Sequence, residues 1–583
     1  MGSSGARKRR RDLDSPLRIA HKKIKLRQYD SEIARKISEQ FNLQVVTGKI
    51  LAARGFEPNV ELENFLAPSL KSGLPAPENL LNLHKACELI NEIVEAGSKI
   101  AICCDFDVDG LSGGSQVYSF FRSIDVPCEV FVPCRFTEGY GLHADTVRTI
   151  AERGFELIIT IDFGTTNENE LALARELGLK TIVIDHHHVG SKRPPADVFV
   201  NPMQPGCGFA SGLLCAAGLA WYLIAGLRRR LARAANIDPR TYLDLACLGT
   251  ICDMVPLVGA NRVIAKRGME LLEQTTRPGL LALKKVSAVG KRVSCTDISF
   301  GLGPRINAAG RMVHGEVVIE LLATEDRALA ARTSKRLDQL NQERKAAEEY
   351  VKALVIEQLE ELGSLPPALV FWDAQFHTGV VGIVAQRLVE LYYRPTAIMG
   401  IDEHGMYKGS VRGIKGFSVI GALSEVGDLL EKFGGHEGAG GFSLNPDNAA
   451  QFKLAFETTT AKHLAKIEVE PYISADSEVS FSELSIPLVE ELRCFAPLGV
   501  GNPGPVLLTR NLEVQSIKVL KHAHLKVQLS DGKQTISGLM WRITSHPDLV
   551  VGARVDVAFK PDVNNFGGYR ELQLNIQGLR GAA

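Results

Sequence analysis

Between residues 99 and 202 short, fully apolar runs alternate with longer mixed stretches. KIAICCD (99–105) is a buried strand that runs into an acidic loop, with a helix expected from about Leu111. CEVFVP (128–133), FELIITID (155–162), KTIVID (180–185) and VFVNP (198–202) read as four further strands, with a helix over 168–178. Strands separated by helices of about ten residues or more predict a parallel sheet with helices on both faces. Further helices are predicted over 212–233, 240–250 and 262–274. The uncharged stretch Ser211 to Leu227 is short for a membrane span and contains Gly212, Gly218 and Gly226, so it reads as a buried helix.

From Glu316 to Leu362 there is neither glycine nor proline, and Ala, Leu, Glu, Lys and Arg dominate, which predicts a long helical connector. A second α/β pattern begins at PPALVFW (366–372) and ends near Ala465. Beyond about residue 470 short alternating runs (LEVQSIKVL, HLKVQLS, TISGLMW, RVDVAFK, ELQLNI) predict a small antiparallel barrel. The expected organisation is therefore a basic, disordered tail over 1–39, a parallel-sheet α/β domain over 40–315, a connector over 316–362, a second α/β domain over 363–465 and a barrel over 466–583. No internal repeat is present.

Composition narrows the class only slightly. A chain of 583 residues exceeds one core, and 45% apolar with 23% charged residues is the profile of an ordinary soluble globular protein. Lys plus Arg equals Asp plus Glu, 67 each, so net charge neither favours nor excludes a nucleic-acid partner. The basic runs ARKRRR and HKKIKLR read as a solvated tail rather than an address or nucleic-acid patch, and Met-Gly-Ser-Ser-Gly has the look of an expression leader. Eleven cysteines without a CxxC pair, and no apolar leader, fit reduced thiols in a cytoplasmic protein with no membrane partner.

The candidate chemistry lies at the predicted strand ends, where open parallel sheets bind ligands. Asp105, Asp107 and Asp109 close the first strand, Asp162 the third, and Asp185, His186, His187 and His188 the fourth; Asp253 follows the helix ending near Leu248. Taken singly these are an acidic turn, a helix cap and a surface histidine run. Together, so many carboxylates repel one another unless cations neutralise them. Mixed carboxylate and imidazole donors suit manganese ahead of magnesium or zinc. Two such ions about 3.5–4 Å apart activate water and stabilise both oxygens of an in-line phosphoryl displacement.

DFDVDG, IDFGT, DHH, Asn201-Pro202, LGTICDMVPL, PRINAAGR and GGHEGAGG resemble the DHH phosphoesterases, and their order and spacing are most similar to the RecJ family of single-stranded-DNA-specific exonucleases. The likeness runs from about residue 40 to the C-terminus. It implies a DHH catalytic domain, a DHH-associated substrate-binding domain and an OB fold. It also implies that Asp107, Asp109, Asp162, His186, His187 and Asp253 are catalytic metal ligands, with Asp162 bridging, and that Asp105 and Asp185 are ligands or orienters of the histidines. His188 extends the usual motif and reads as a loop histidine. Cys104 and Phe106 stand where the family more often has Gly and Tyr, beside the ligands and not in place of one.

The glycine-rich GGHEGAGG (434–441) lets backbone amides approach a phosphate, so Gly434, Gly435 and His436 are candidate phosphate contacts, a tight turn being the plainer reading. The resemblance adds Arg135, Ser410 and Arg412 as the grip on a terminal 5′-phosphate and Arg305, Asn307 and Arg311 as contacts to internal phosphates; for the arginines an interdomain salt bridge is the alternative. Residues 510–583 carry ten Lys and Arg against six Asp and Glu. In an OB fold, Lys518, Lys521, Trp541, Arg542, Phe566, Tyr569 and Arg570 are then candidates for single-strand contacts, with core packing as an equal reading of Trp541. No GxxxxGK[ST] motif points to ATP.

The function so implied is 5′-to-3′ hydrolysis of single-stranded DNA to 5′-mononucleotides in DNA repair and recombination, with two divalent cations. Single-strand-binding protein and a helicase are the implied partners, and a nucleoid-associated cytoplasmic place follows. Two other readings stay open: a DHH phosphodiesterase acting on short RNA or on linear or cyclic dinucleotides, which the barrel disfavours, and a non-catalytic replication scaffold, which the complete set of acidic and histidine positions disfavours.

Overall fold

A computed structural model describes residues 23–209, 214–565 and 569–582. The described chain divides into one unit of residues 63–344 with 495–503, and another of 23–62, 345–494 and 504–582.

The first unit is built on five parallel strands: β1 (Lys99–Cys104), β2 (Cys128–Phe131), β3 (Phe155–Ile161), β4 (Lys180–Ile184) and β5 (Val198–Val200). Their order is β2-β1-β3-β4-β5, every neighbouring pair parallel. The apolar runs are continuous because both faces are covered: Ile100, Ile102, Ile159 and Ile184 pack on one side, Ala101, Cys103, Ile158 and Val183 on the other. Helix α1 (Val108–Ser123) starts three residues before the expected Leu111, because Asp107 caps it. The predicted helices over 212–233, 240–250 and 262–274 are α2 (Ala216–Arg230), α3 (Leu243–Cys252) and α4 (Gly259–Glu273). Helix α2 carries residues 216–227 of the uncharged stretch, and among the described residues no helix is long and apolar enough to cross a membrane. Helix α5 (Gly303–Met312) lies against the loop after β1 so closely that a Cβ on Gly310 would stand 2.6 Å from the Phe106 carbonyl oxygen.

The stretch expected as one connector is divided. Glu316–Ala323 is a separate helix whose Val318, Leu321 and Leu322 belong to the core of the first unit, and Arg327–Glu361 is the long helix.

In the second unit a five-stranded sheet holds β6 (Leu369–Asp373), β7 (Thr396–Ile401), β8 (Tyr407–Arg412), β9 (Lys432–Gly435) and β10 (Ala439–Leu444) in the order β9-β10-β8-β7-β6. In this sheet only β6 and β7 pair in parallel. A barrel follows: β11 (Ser477–Glu478), β12 (Leu507–Leu520), β13 (His524–Ser530), β14 (Thr535–Trp541), β15 (Arg554–Asn564) and β16 (Glu571–Gly581), in the order β11-β12-β13-β14-β16-β15, closed by pairing of β12 with β15. The inward residues Leu525, Val527, Leu529, Val555, Val557 and Leu574 are buried, as alternation requires.

Of the stretch assigned to a disordered tail from its charge, residues 1–22 lie outside the described residues, and 23–39 are folded. Lys23–Leu26 pairs in parallel with Tyr472–Ala475, and Ser31–Phe41 is a helix capped by Asp30. The sequence KIKL alternates, and its lysines meet Glu468 and Glu470, so charge density alone misreads it.

Candidate metal centre

The carboxyl ends of β1, β3 and β4 converge the acidic motifs. Asp107 Oδ1 accepts the backbone N–H groups of Asp109 (2.9 Å) and Gly110 (3.2 Å), which fixes the DVDG turn at the positive end of α1. Asp109 is buried, and its two carboxylate oxygens accept the N–H groups of Ala216 (2.6 Å) and Ala217 (2.9 Å) at the start of α2. Asp162 follows β3 in the left-handed region at φ 71°, unusual for a residue with a side chain. Its N–H still donates to the Ile184 carbonyl, 3.0 Å away, so the strand pairing runs through the bend.

His186 Nε2 sits among three carboxylates: Asp162 Oδ1 at 3.2 Å, Asp109 Oδ2 at 3.7 Å and Asp253 Oδ2 at 3.7 Å. Asp253 ends α3. Among the described residues three sets of donors, each lying within 4.8 Å of one another, can close on a cation: Asp105, Asp107 and Asp162; Asp162, His186 and His187; Asp109, His186 and Asp253. Asp162 and His186 each serve two sets.

The donor chemistry fits cations. Burial and the neighbouring Asp107 push the Asp105 carboxyl well up, burial and then Asp109 do the same to Asp162, and burial with Asp109 and Asp107 raises Asp253. Buried Asp105 Oδ1 has no hydrogen-bond partner among the described residues. A divalent charge would reverse these penalties together.

Asp185 is different. Its Oδ1 accepts the His186 N–H (2.7 Å) and pairs with His187 Nδ1 (2.7 Å), while its Oδ2 accepts the Thr165 N–H (3.0 Å). Burial works to raise it, yet His187 and Thr165 outweigh burial and hold it below the usual carboxylate range. Of the ligand and orienter roles expected for Asp185, the geometry favours the second. His188 is exposed, in keeping with a loop histidine.

Tyr140, which the sequence reading does not flag, also reaches the cluster. Its hydroxyl donates to the Asp162 carbonyl oxygen at 2.8 Å and lies 3.2 Å from His187 Nδ1. The available signal is no more than an aromatic residue beside the Arg135 loop. Arg135 itself lies over the Phe106 ring, 4.1 Å from its centroid, with Asp105 and Asp107 as neighbouring charges and a buried Nε that has no hydrogen-bond partner among the described residues.

Two expected phosphate contacts are engaged inside the fold. Arg305 pairs with Asp338 at 2.8 Å and donates to the carbonyls of Gly301 and Val286, which is the salt-bridge alternative realised within one unit. Asn307 Oδ1 accepts the Val108 N–H at 3.1 Å and braces the DVDG turn. Arg311 is half-buried in the last turn of α5.

On the second unit, strand pairing assembles the distant motifs. Gly441 is in register with Ser410, and Ala439 with Arg412. Gly434 and Gly435 end β9 and His436 begins the exposed turn to β10, with the His436 N–H donating to the Ala439 carbonyl at 2.8 Å. Arg412 donates to Ser410 Oγ at 2.8 Å and makes no salt bridge among the described residues, and burial disfavours its charge. Gly382, at the start of the helix Val381–Tyr392, leaves the space beside them: a Cβ there would stand 3.0 Å from both Arg412 Nη2 and Ser410 Oγ.

On the barrel, Trp541 is 55% exposed, edge-on to His524 and bonded to Asn575, which removes the core-packing reading. Lys518, Lys521 and Arg542 are exposed, Tyr569 is 77% exposed, and Arg570 pairs with Glu490. Phe566 lies outside the described residues.

A parallel sheet with this strand-end cluster defines the DHH class of phosphoesterase. The family model of the DHH family N-terminal domain matches residues 99–250, that of the DHHA1 domain 365–462 and that of the RecJ OB domain 475–578. Single-stranded-DNA-specific exonuclease RecJ of Bacillus subtilis (strain 168) is 31% identical over 554 residues, covering 94% of this chain and 69% of its own length. The RecJ of Dickeya dadantii (strain 3937) is 34% identical over 561 residues, covering 92% and 96%. The crystal structure of RecJ in complex with Mn2+ from Thermus thermophilus superposes with a TM-score of 0.83 at 28% identity, over 96% of this chain and 80% of that one. The chain belongs to the RecJ family.

Proposed function

We propose that this protein is a divalent-cation-dependent exonuclease that hydrolyses single-stranded DNA from its 5′ end to 5′-mononucleotides. The observation that carries the reading is the carboxylate–imidazole cluster in which Asp162 belongs to two donor sets and His186 to two. The family supports the substrate, since its relatives are named single-stranded-DNA-specific exonucleases.

Asp105, Asp107, Asp109, Asp162, His186, His187 and Asp253 would hold the cations, manganese or magnesium, as the Thermus RecJ structures with Mn2+ and Mg2+ suggest. When bound, the cations supply an acidified water and neutralise charge developing on the phosphoryl oxygens. Asp185 holds the His187 ring in one orientation, and Asp107 holds the turn that aims Asp109. Arg135, next to the acidic loop, binds a phosphate of the strand. Arg412, Ser410 and the Gly434–His436 hairpin bind the terminal 5′-phosphate, which gives the polarity: a buried guanidinium without a carboxylate partner among the described residues suits a dianion. The barrel face with Lys518, Lys521, Trp541 and Arg542 binds following nucleotides without sequence preference. Work in repair and recombination in the cytoplasm at the nucleoid, with a helicase and single-strand-binding protein, goes with this activity.

Strands labelled at the 5′ or the 3′ end, offered with manganese or magnesium, test the proposal. Release of mononucleotides from the 5′ end alone is expected, and Asp162→Ala is expected to abolish it with the fold intact. Cleavage surviving in that variant overturns the site assignment, and preference for a dinucleotide over long DNA in competition overturns the substrate.

A further inference from the structure

We infer that residues 495–503 are a positioning element of the metal centre, clamping the turn that carries Asp253. The inference rests on the reading of Asp253 as a metal ligand. These nine residues fall inside the stretch matched as the OB domain, and the residues before and after them fold with the second unit, yet by their contacts they belong to the first.

Arg262, buried at 2% exposure, is the anchor. Its guanidinium donates to the carbonyls of Phe495 (3.0 Å), Ala496 (3.0 Å) and Pro497 (3.3 Å) on the segment and to Phe65 (2.9 Å) below it. It also lies 3.8 Å over the Phe65 ring, which meets Phe495 edge-on. Buried Asn502 closes the segment on itself, giving its side-chain N–H groups to the carbonyls of Phe495 (2.7 Å) and Pro497 (2.8 Å). Gly499 and Asn502 exchange two backbone hydrogen bonds, at 3.0 and 3.2 Å. The rigid loop so formed presents one carbonyl, Val500, to the Leu257 N–H at 2.8 Å. A Cβ on Gly499 would stand 2.7 Å from Leu257, and one on Gly501 3.0 Å from Pro256.

Asp253–Leu257 is therefore held from two sides. Val255 packs on Cys215 and Ala217, the start of the helix that Asp109 anchors, while Pro256 and Leu257 pack on the segment. Between the ligand and this grip lies Met254, in the left-handed region at φ 62°. The position of this turn matters because Asp253 closes one donor set with Asp109 and His186, whose donor atoms lie within 4.8 Å of one another. Metal geometry tolerates displacements of only about 0.5 Å.

Manganese titration of the full-length protein by calorimetry or electron paramagnetic resonance, with thermal melting and single-strand cleavage against manganese concentration, tests this. Asn502→Ala frees the loop. Gly501→Ala, at φ 72° and against Pro256, displaces it by a different route, so one variant answers if the other does not fold. Both are expected to weaken manganese binding about ten- to a hundredfold, the range for residues that orient ligands. They shift cleavage to higher manganese, and saturating manganese restores turnover. Trp541→Ala is expected to raise the KM for DNA and leave the manganese titration unmoved. Folded Asn502→Ala and Gly501→Ala proteins with wild-type manganese affinity overturn the inference. Wild-type manganese affinity in Asp253→Ala removes the reading beneath it, a distinguishable failure.

Discussion

The Tyr140 hydroxyl and the Asp162 carbonyl oxygen are joined by a 2.8 Å hydrogen bond, and the same hydroxyl lies 3.2 Å from His187 Nδ1. One phenol thus holds the backbone of the shared carboxylate residue in its left-handed conformation and steadies the neighbouring imidazole. Left-handed backbone at a residue with a side chain costs of order 1–3 kcal/mol and persists only when its surroundings enforce it.

Tyr140→Phe keeps the ring edge-on to Phe163 and His187 and deletes only the hydroxyl. Turnover is expected to fall about ten- to a hundredfold, with manganese affinity reduced and the KM for DNA little changed. Steady-state kinetics at several manganese concentrations measure the split.

Asp185→Asn removes the charge that orients His187 while preserving size. Manganese affinity is expected to drop about ten- to a hundredfold, and added manganese is expected to recover activity. If Asp185 were itself a ligand, saturating metal would not restore turnover.

Arg412→Ala is expected to cost about 1.5–3 kcal/mol of binding to a 5′-phosphorylated strand, the worth of hydrogen bonds to a charged group. That is roughly a ten- to hundredfold rise in KM. A 5′-hydroxyl strand is expected to be nearly unaffected, so the ratio between the two substrates reads the residue.

Arg305→Met separates a structural arginine from a phosphate-binding one. Loss of the Asp338 pair and two carbonyl contacts is expected to destabilise the first unit by about 1–3 kcal/mol, seen in denaturant unfolding. The salt dependence of DNA binding is expected to stay as in the wild type. Lys518→Ala on the barrel is expected to do the opposite, lowering the salt slope by about one without changing stability.

The strand ends are legible because an uninterrupted apolar run has one outcome in an open sheet, and the residues after it emerge at the binding edge. Asp105, Asp162 and Asp185 are placed by that rule alone. Their division of labour is not. Asp185 spends both oxygens on His186, His187 and Thr165, whereas Asp105 keeps one buried oxygen without a partner among the described residues; in sequence both are an aspartate after an apolar strand. Arg305 and Asn307 sit in a motif that reads as phosphate-binding, and each finds its partner elsewhere in the fold, at Asp338 and at the Val108 N–H. The lysines at 23 and 25 resemble a solvated tail until Glu468 and Glu470 stand opposite them.

Periodicity along the chain was enough to set the strands of the first sheet and the runs of the barrel, and the residues closing the strands were enough to indicate a metal phosphodiesterase, the DHH kind resting on resemblance across the longer set of motifs. Folding in three dimensions was needed to establish which donors face one another, that Tyr140 ties Asp162 to His187, and that residues 495–503 lie beside the turn of Asp253. The reason is that a hydrogen bond or a charge acts over a few ångströms, and such neighbours are set by packing between segments far apart in the chain, which no local pattern encodes.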